Sequence, residues 1–457
     1  MTVFRSLSVV VAAALAVSAC STASKVGSLN PFHGKHRHES TAARGVRIPV
    51  IAAGEELKVS EALKGQDFFL PPPAPQSEWP LPGGNLAQSV EHVDAAPNFQ
   101  IAWRRTFGAP SSRKRHVTAL PIVEGGRIFV MDGAADVSAH DAANGGQIWR
   151  VNIMPKSKRD HEAWGGGLAY ADGKIFVTSG FREVVALDAA TGRLLWRSMT
   201  DAPLHAAPTV ADGRVFAEDV NDELFAFDAA TGNQDWTYQA LADPARIIAA
   251  TSPAVENDTL VSAFASGELV ALRTANGAEL WNASLSHANR TNALSEIRDI
   301  PGRPVIYKSD VYAVSHSDMF AAVDIRTGQV RWTLPVSAVT TPWPAGDVVY
   351  VIDDTGQVIC ASRDAGQIYW IRNLNAEADT GGKKKKKKGK LAYWSAPILA
   401  SGRLITVSSQ GEAVALNPKT GVVERRLRLG ADAMIGPIAV NGTLYVVSES
   451  AQLIAIR

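Results

Sequence analysis

The chain has little cysteine: two residues in 457, Cys20 and Cys360, and no CxxC pair. That excludes a disulfide-rich scaffold and a four-cysteine zinc site. It has no surplus of either charge, with 46 Lys+Arg against 45 Asp+Glu and a formal net charge of +1. A globally basic nucleic-acid binder is thereby excluded. It lacks a long apolar run, because the best stretch, Leu7 to Val17, falls short of the roughly 20 residues a membrane-spanning helix needs. No HExxH and no phosphate-binding glycine-rich signature occurs, and His161 and His205 stand without a metal-ligand pattern around them. What is present is 46% hydrophobic and only 20% charged residues, too apolar for a disordered chain. At this length a single ordinary core is implausible on surface-to-volume grounds, so the chain is several domains or a repeat array.

Residues 1–19 read as a secretory signal, with Arg5 ahead of the apolar run and small residues after it. Val17-Ser18-Ala19-Cys20 resembles the lipobox of bacterial lipoproteins. The resemblance implies cleavage before Cys20 and acylation (palmitate among the chains) of that cysteine, and Ser21 in place of Asp implies sorting to the outer membrane. Several acyl chains give stable anchoring where one is marginal. Residues 20–85 are expected to be a lipidated flexible tether, polar at first and extended through the polyproline stretch 71–76. Within it, Val46 to Leu70 has apolar residues enough for a strand and a short helix, and the sequence leaves their state open. His33, His36 and His38 are read as part of a solvated tether, not a metal site. With Cys20 acylated, Cys360 has no partner and is expected to be buried as a small hydrophobe.

Internal repetition decides the fold class. A strand, a polar turn, Gly, three residues and Trp recur in DAANGGQIW, DAATGRLLW, DAATGNQDW, RTANGAELW, DIRTGQVRW and SRDAGQIYW, ending at Trp149, Trp196, Trp236, Trp281, Trp332 and Trp370. A seventh copy, NPKTGVVER, keeps Gly421 but has Arg425 in the tryptophan position. Spacings of 38 to 51 residues between these tryptophans match one four-stranded propeller blade per unit. The last unit stops at Arg457 one strand short, and IAWRRTF around Trp103 is a fourth strand with no unit before it. The expected fold is therefore all-β: an eight-bladed β-propeller of four-stranded antiparallel blades over 86–457, its ring closed by an N-terminal strand that completes the last blade and leaves no open edge. Trp103 and the six repeat tryptophans are expected to be structural, packing blade against blade. The recurring carboxylates Asp141, Asp188 and Asp228 are expected to cap turns, which suits them better than acid–base work.

The Gly-x-x-x-Trp phrase resembles the pyrroloquinoline-quinone type repeat, and Trp79-Pro80-Leu81-Pro82-Gly83-Gly84-Asn85 resembles the entry motif of that superfamily. Two families share these features. Quinoprotein dehydrogenases carry adjacent cysteines over the quinone, a calcium ion and a catalytic Asp; this chain has no adjacent cysteines. The BamB family, lipoproteins of the outer-membrane β-barrel assembly (BAM) complex, is resembled in the lipobox and across the whole repeat region, the long tether being an addition. That resemblance implies a non-enzymatic scaffold with no cofactor and no metal, docked to the periplasmic domains of BamA, serving outer-membrane protein substrates and held to the membrane by its lipid. It implies a contact patch of Arg246, Ile247 and Ile248 in LADPARIIAATSP, together with Arg298 and Asp299 in HANRTNALSEIRDIPGRP, all on one face. Arg246 lies one place off the family pattern, and Pro301 falls where a second acidic residue would be. A periplasmic glycan- or ligand-binding propeller and a quinoprotein dehydrogenase stand as the alternatives. The lysine run at 383–388 reads as a solvated, self-repelling loop, with anionic lipid as its alternative contact; nucleic acid is not expected outside the cytoplasm.

Overall fold

A computed structural model describes residues 57–156, 163–241, 251–286, 299–377 and 391–457. Cys20, the histidines of the tether, the lysine run, Arg246, Ile247, Ile248 and Arg298 lie outside these described residues. Eight four-stranded antiparallel sheets follow one another. The first is built of Ile122–Glu124, Arg127–Met131, Asp136–Asp141 and Gln147–Asn152. The same order recurs over 166–199, 209–239, 254–284, 305–334, 343–373 and 398–428. The eighth sheet places Ile101–Thr106 beside Gln452–Ile456, with Trp103 opposite Ala455 and Thr106 opposite Gln452. The all-β, eight-bladed reading and its closure by an N-terminal strand are thus found as expected.

Each blade's strands are called a to d from the channel outward. Strand a is short and buried, as in Ile438–Val440 and Val305–Tyr307, because it has neighbours on every side. Strand d alternates exposed and half-buried residues, as in Gln234–Gln239, because one of its faces meets water. The a-to-b turns need two left-handed residues, supplied for example by Asp212 (φ 52°) and Gly213 (φ 72°).

The repeated phrase has one physical cause. Each tryptophan lies over the glycine of the next blade's phrase: a Cβ on Gly328 would sit 2.8 Å from the Trp281 ring, and one on Gly192 would sit 2.7 Å from Trp149. These glycines also hold positive φ, 71° at Gly328, so both the close approach and the backbone demand glycine. The indole then donates across the seam, from Trp281 Nε1 to the Ile325 carbonyl at 2.6 Å and from Trp149 Nε1 to Ala189 at 3.0 Å. Trp103 of the eighth blade covers Gly145 of the first and closes the circle. The exception also has its reason. The eighth blade has no c-to-d turn, since its c strand ends the chain and its d strand is the separate segment Ile101–Thr106. Arg425 of the seventh blade therefore has no glycine to cover, and its Nη1 donates to the Asn98 carbonyl at 2.6 Å.

Asp188 Oδ1 accepts from the amides of Ala190 and Thr191 and from the Thr191 hydroxyl, and Asp228 Oδ1 accepts the equivalent set. The repeated aspartates are turn caps. Cys360 is fully buried in the sixth blade, and burial pushes its thiol well above the usual range.

Residues 57–96 differ from a free tether. Trp79 is 1% exposed and exchanges backbone hydrogen bonds with Val123 of the first strand a. The segment then crosses the channel: Leu86 accepts from Val255, Ala87 from Ile306, and Val93 donates to Leu399. Phe68 packs on Tyr369 with centroids 4.7 Å apart. A closed ring leaves the inner edges of eight a strands with unpaired backbone groups, and this segment hydrogen-bonds to five of those strands without alternating hydrophobicity of its own.

Candidate functional site

Four antiparallel strands end on the side where they begin. Every d-to-a connection and every b-to-c turn therefore lies on one face, the loop face, and the a-to-b and c-to-d turns lie on the other. The connections from the third to the fourth blade and from the fourth to the fifth, which carry the expected contact residues, both leave from and return to the loop face.

The roots of these two connections are held by buried acids. Glu268 accepts from the Leu241 amide (3.0 Å), the Ser266 hydroxyl (2.9 Å) and the Asn282 amide (2.7 Å), so the chain leaving the third blade is tied to the fourth. Asp299 is 2% exposed, and its carbonyl accepts from the His316 amide at 2.8 Å. It is therefore not a surface acid but one of a buried group with Glu218, Asp219 and Asp222 at the third blade's b-to-c turn. This corrects its expected place in an exposed patch. The acids that surround it come from the third blade, a proximity the one-dimensional pattern could not show.

Glu218 is fully buried and its Oε2 accepts from Ser262 at 2.7 Å; burial, with Asp222, Asp299 and Asp219 nearby, pushes its carboxyl well above the ordinary range. Asp219 is committed to its own turn, accepting from the Asn221 and Glu223 amides, and Asp222 accepts from Ala265 at 2.9 Å. His316 stands 3.3 Å from Asp354, whose carboxylate raises the imidazole's proton affinity. Among the described residues no group of three or more His, Cys, Asp or Glu is arranged to hold a metal ion.

On the same face the channel opens as a cavity of about 330 Å³. Its floor is formed by Trp79, Pro82 and Gln88 of the N-terminal segment, and its walls largely by the connections that lead into the a strands, with Trp394 and Arg303 among them, and by Trp343 at the start of one such strand. His205 also lines it. The structure thus brings the roots of the two expected contact loops and the channel mouth to one face. Glu218, Glu268 and Arg303 were not singled out from the sequence, because the neighbours that matter are brought together only by the fold, such as Ser262 for Glu218 and Leu241 for Glu268.

The model of the outer membrane protein assembly factor BamB family matches residues 133–372. The BamB of Shewanella oneidensis is 24% identical over 345 residues, covering 74% of this chain and 83% of that protein. Among solved structures, BamB from Moraxella catarrhalis superposes with a TM-score of 0.67 at 18% identity, covering 78% of this chain and 99% of that one. The quinohemoprotein alcohol dehydrogenase of Comamonas testosteroni superposes with a TM-score of 0.64 at 15% identity, covering 82% and 77%; a likeness at that identity shows the fold alone. With the family's model covering more than half the chain over five consecutive blades, the chain belongs to the outer membrane protein assembly factor BamB family.

Proposed function

We propose that this protein is a non-enzymatic lipoprotein of the BAM complex, anchored through Cys20 to the outer membrane, facing the periplasm and aiding insertion of β-barrel proteins by docking to the periplasmic domains of BamA. Family membership carries this reading. It is supported by the division of labour on the loop face. A rigid ring fixes the roots of the two connections through Glu268 and Asp299, and in this reading Ile247 and Ile248 serve as apolar anchors and Arg246 and Arg298 as charged contacts. Function then resides in loops on a stiff scaffold, and the acyl anchor raises the effective concentration of membrane partners. A non-catalytic role is supported by the repeated aspartates being committed to turns and by the buried, solitary Cys360.

The test is gentle detergent extraction of membranes with the tagged full-length protein as bait. Stoichiometric recovery of a large barrel protein with periplasmic domains is expected, and its loss in an Ile247→Asp, Ile248→Asp double variant. Asp299 is left intact because it is buried. Recovery of the bait alone would count against the docking reading.

A further inference from the structure

The channel cavity contains a cation that has no ion-pair partner among the described residues. Arg303 enters it from the connection that precedes Val305–Tyr307. Its Nε is buried and makes no hydrogen bond, and burial alone pulls its proton affinity down, to about 10. Two carboxylates line the same cavity, and both are occupied: Asp353 by Thr355 and Gln357, and Asp354 by Ser337 and His316. Two further buried polar atoms of the lining lack partners, the Thr118 hydroxyl and Gln88 Oε1. Gln88 is 3% exposed, and its orientation is set by donation from Nε2 to the Pro253 carbonyl at 3.1 Å. Orphaned polar groups in native proteins call for an explanation, and half-buried Arg303, with its Nε enclosed, is the charged one among them.

The remaining lining is apolar or aromatic, including Trp79, Trp343, Trp394 and Leu120, with the exposed Val339, Tyr393 and Met434 around the mouth. A volume of about 330 Å³ suits a small molecule. We propose that the channel mouth is a binding site for a small carboxylate with an apolar or aromatic body, its carboxylate held by Arg303 and its body against the tryptophans. A guanidinium fork takes a carboxylate through two parallel hydrogen bonds. Arg303 is the one Arg or Lys among the described lining residues, so the site fits one carboxylate, not a polyanion.

Titration calorimetry of the full chain with indole-3-acetate and benzoate, against indole-3-acetamide and benzamide, tests this. The acids are expected to bind saturably at one site and the neutral amides at least about tenfold more weakly, as loss of a charge-assisted pair requires. Arg303→Gln is expected to reduce acid affinity by a similar factor while keeping the circular-dichroism spectrum and a melting temperature no lower than that of the parent. Equal affinity for acid and amide in the parent protein overturns the proposal, and so does the absence of saturable binding by either acid. That comparison needs no variant. Folded Arg303→Gln with unchanged affinity also overturns it. Because docking to membrane partners is read from the loops and this site from the channel, either result stands apart from the extraction experiment.

Discussion

The seam between blades offers a sharp test, because one of its seven tryptophans lacks the hydrogen bond that six make. Trp281 is 7% exposed, covers Gly328 and donates to Ile325 at 2.6 Å. Trp103 covers Gly145 in the same way, but its Nε1 is buried without a partner. Replacing Trp281 by Phe keeps much of the ring contact but strands the Ile325 carbonyl, at a cost of about 1–3 kcal/mol. Replacing Trp103 by Phe removes an N–H that has no acceptor, so the loss of the smaller contact is offset and the change stays within about 1 kcal/mol. Truncation of Trp281 to Ala opens a cavity and removes the cover from Gly328, costing about 3–5 kcal/mol. Urea denaturation followed by circular dichroism compares the midpoints directly. Equal destabilisation by Trp281→Phe and Trp103→Phe would refute the idea that the indole hydrogen bond, and not ring area alone, selects tryptophan at this position.

Three further outcomes are expected. Trp79→Ala, at a site 1% exposed against the innermost strands, lowers stability by about 3–5 kcal/mol in the same denaturation assay; an unaltered midpoint would show that the N-terminal segment contributes nothing to the ring. Arg425→Trp, although it restores the repeat consensus, does not stabilise the protein, because no glycine turn follows it and the bond to Asn98 is lost; a raised melting temperature would contradict that account. Glu218 has a raised folded-state pKa, so the native state holds its proton where the unfolded chain releases it. Its favourable contribution is complete below the unfolded value and is lost as pH rises through the folded one. Glu218→Gln should therefore flatten the decline in melting temperature on the alkaline side while changing little in acid. A parallel decline in both proteins would argue that Glu218 does not titrate.

The ring was legible because its cause is periodic. Each Trp meets the Gly of the next unit, so the contact writes itself into the sequence once per blade, and even the missing strand could be counted at the two ends. The plug of residues 57–96 was not legible, since it pairs backbone to backbone with strands that lie far away in sequence and carries proline where a strand would alternate. The site fared differently from residue to residue. That two expected contact loops share a face follows from strand order alone. The burial of Asp299 does not, because it depends on the neighbouring third blade. Arg303 was hidden for the same reason: the cavity is assembled largely from the connections into the a strands of several blades, none repeating its neighbour.

The docking face is tested most directly by a photo-crosslinking residue placed at position 247 and, as control, at Gly213, in an a-to-b turn on the opposite face where a side chain would meet nothing within 4 Å. Irradiation of intact cells followed by mass spectrometry should yield an adduct with a large outer-membrane barrel protein from position 247 and none from position 213. Adducts from 213 alone, or from both positions equally, would contradict the assignment of the loop face as the docking surface.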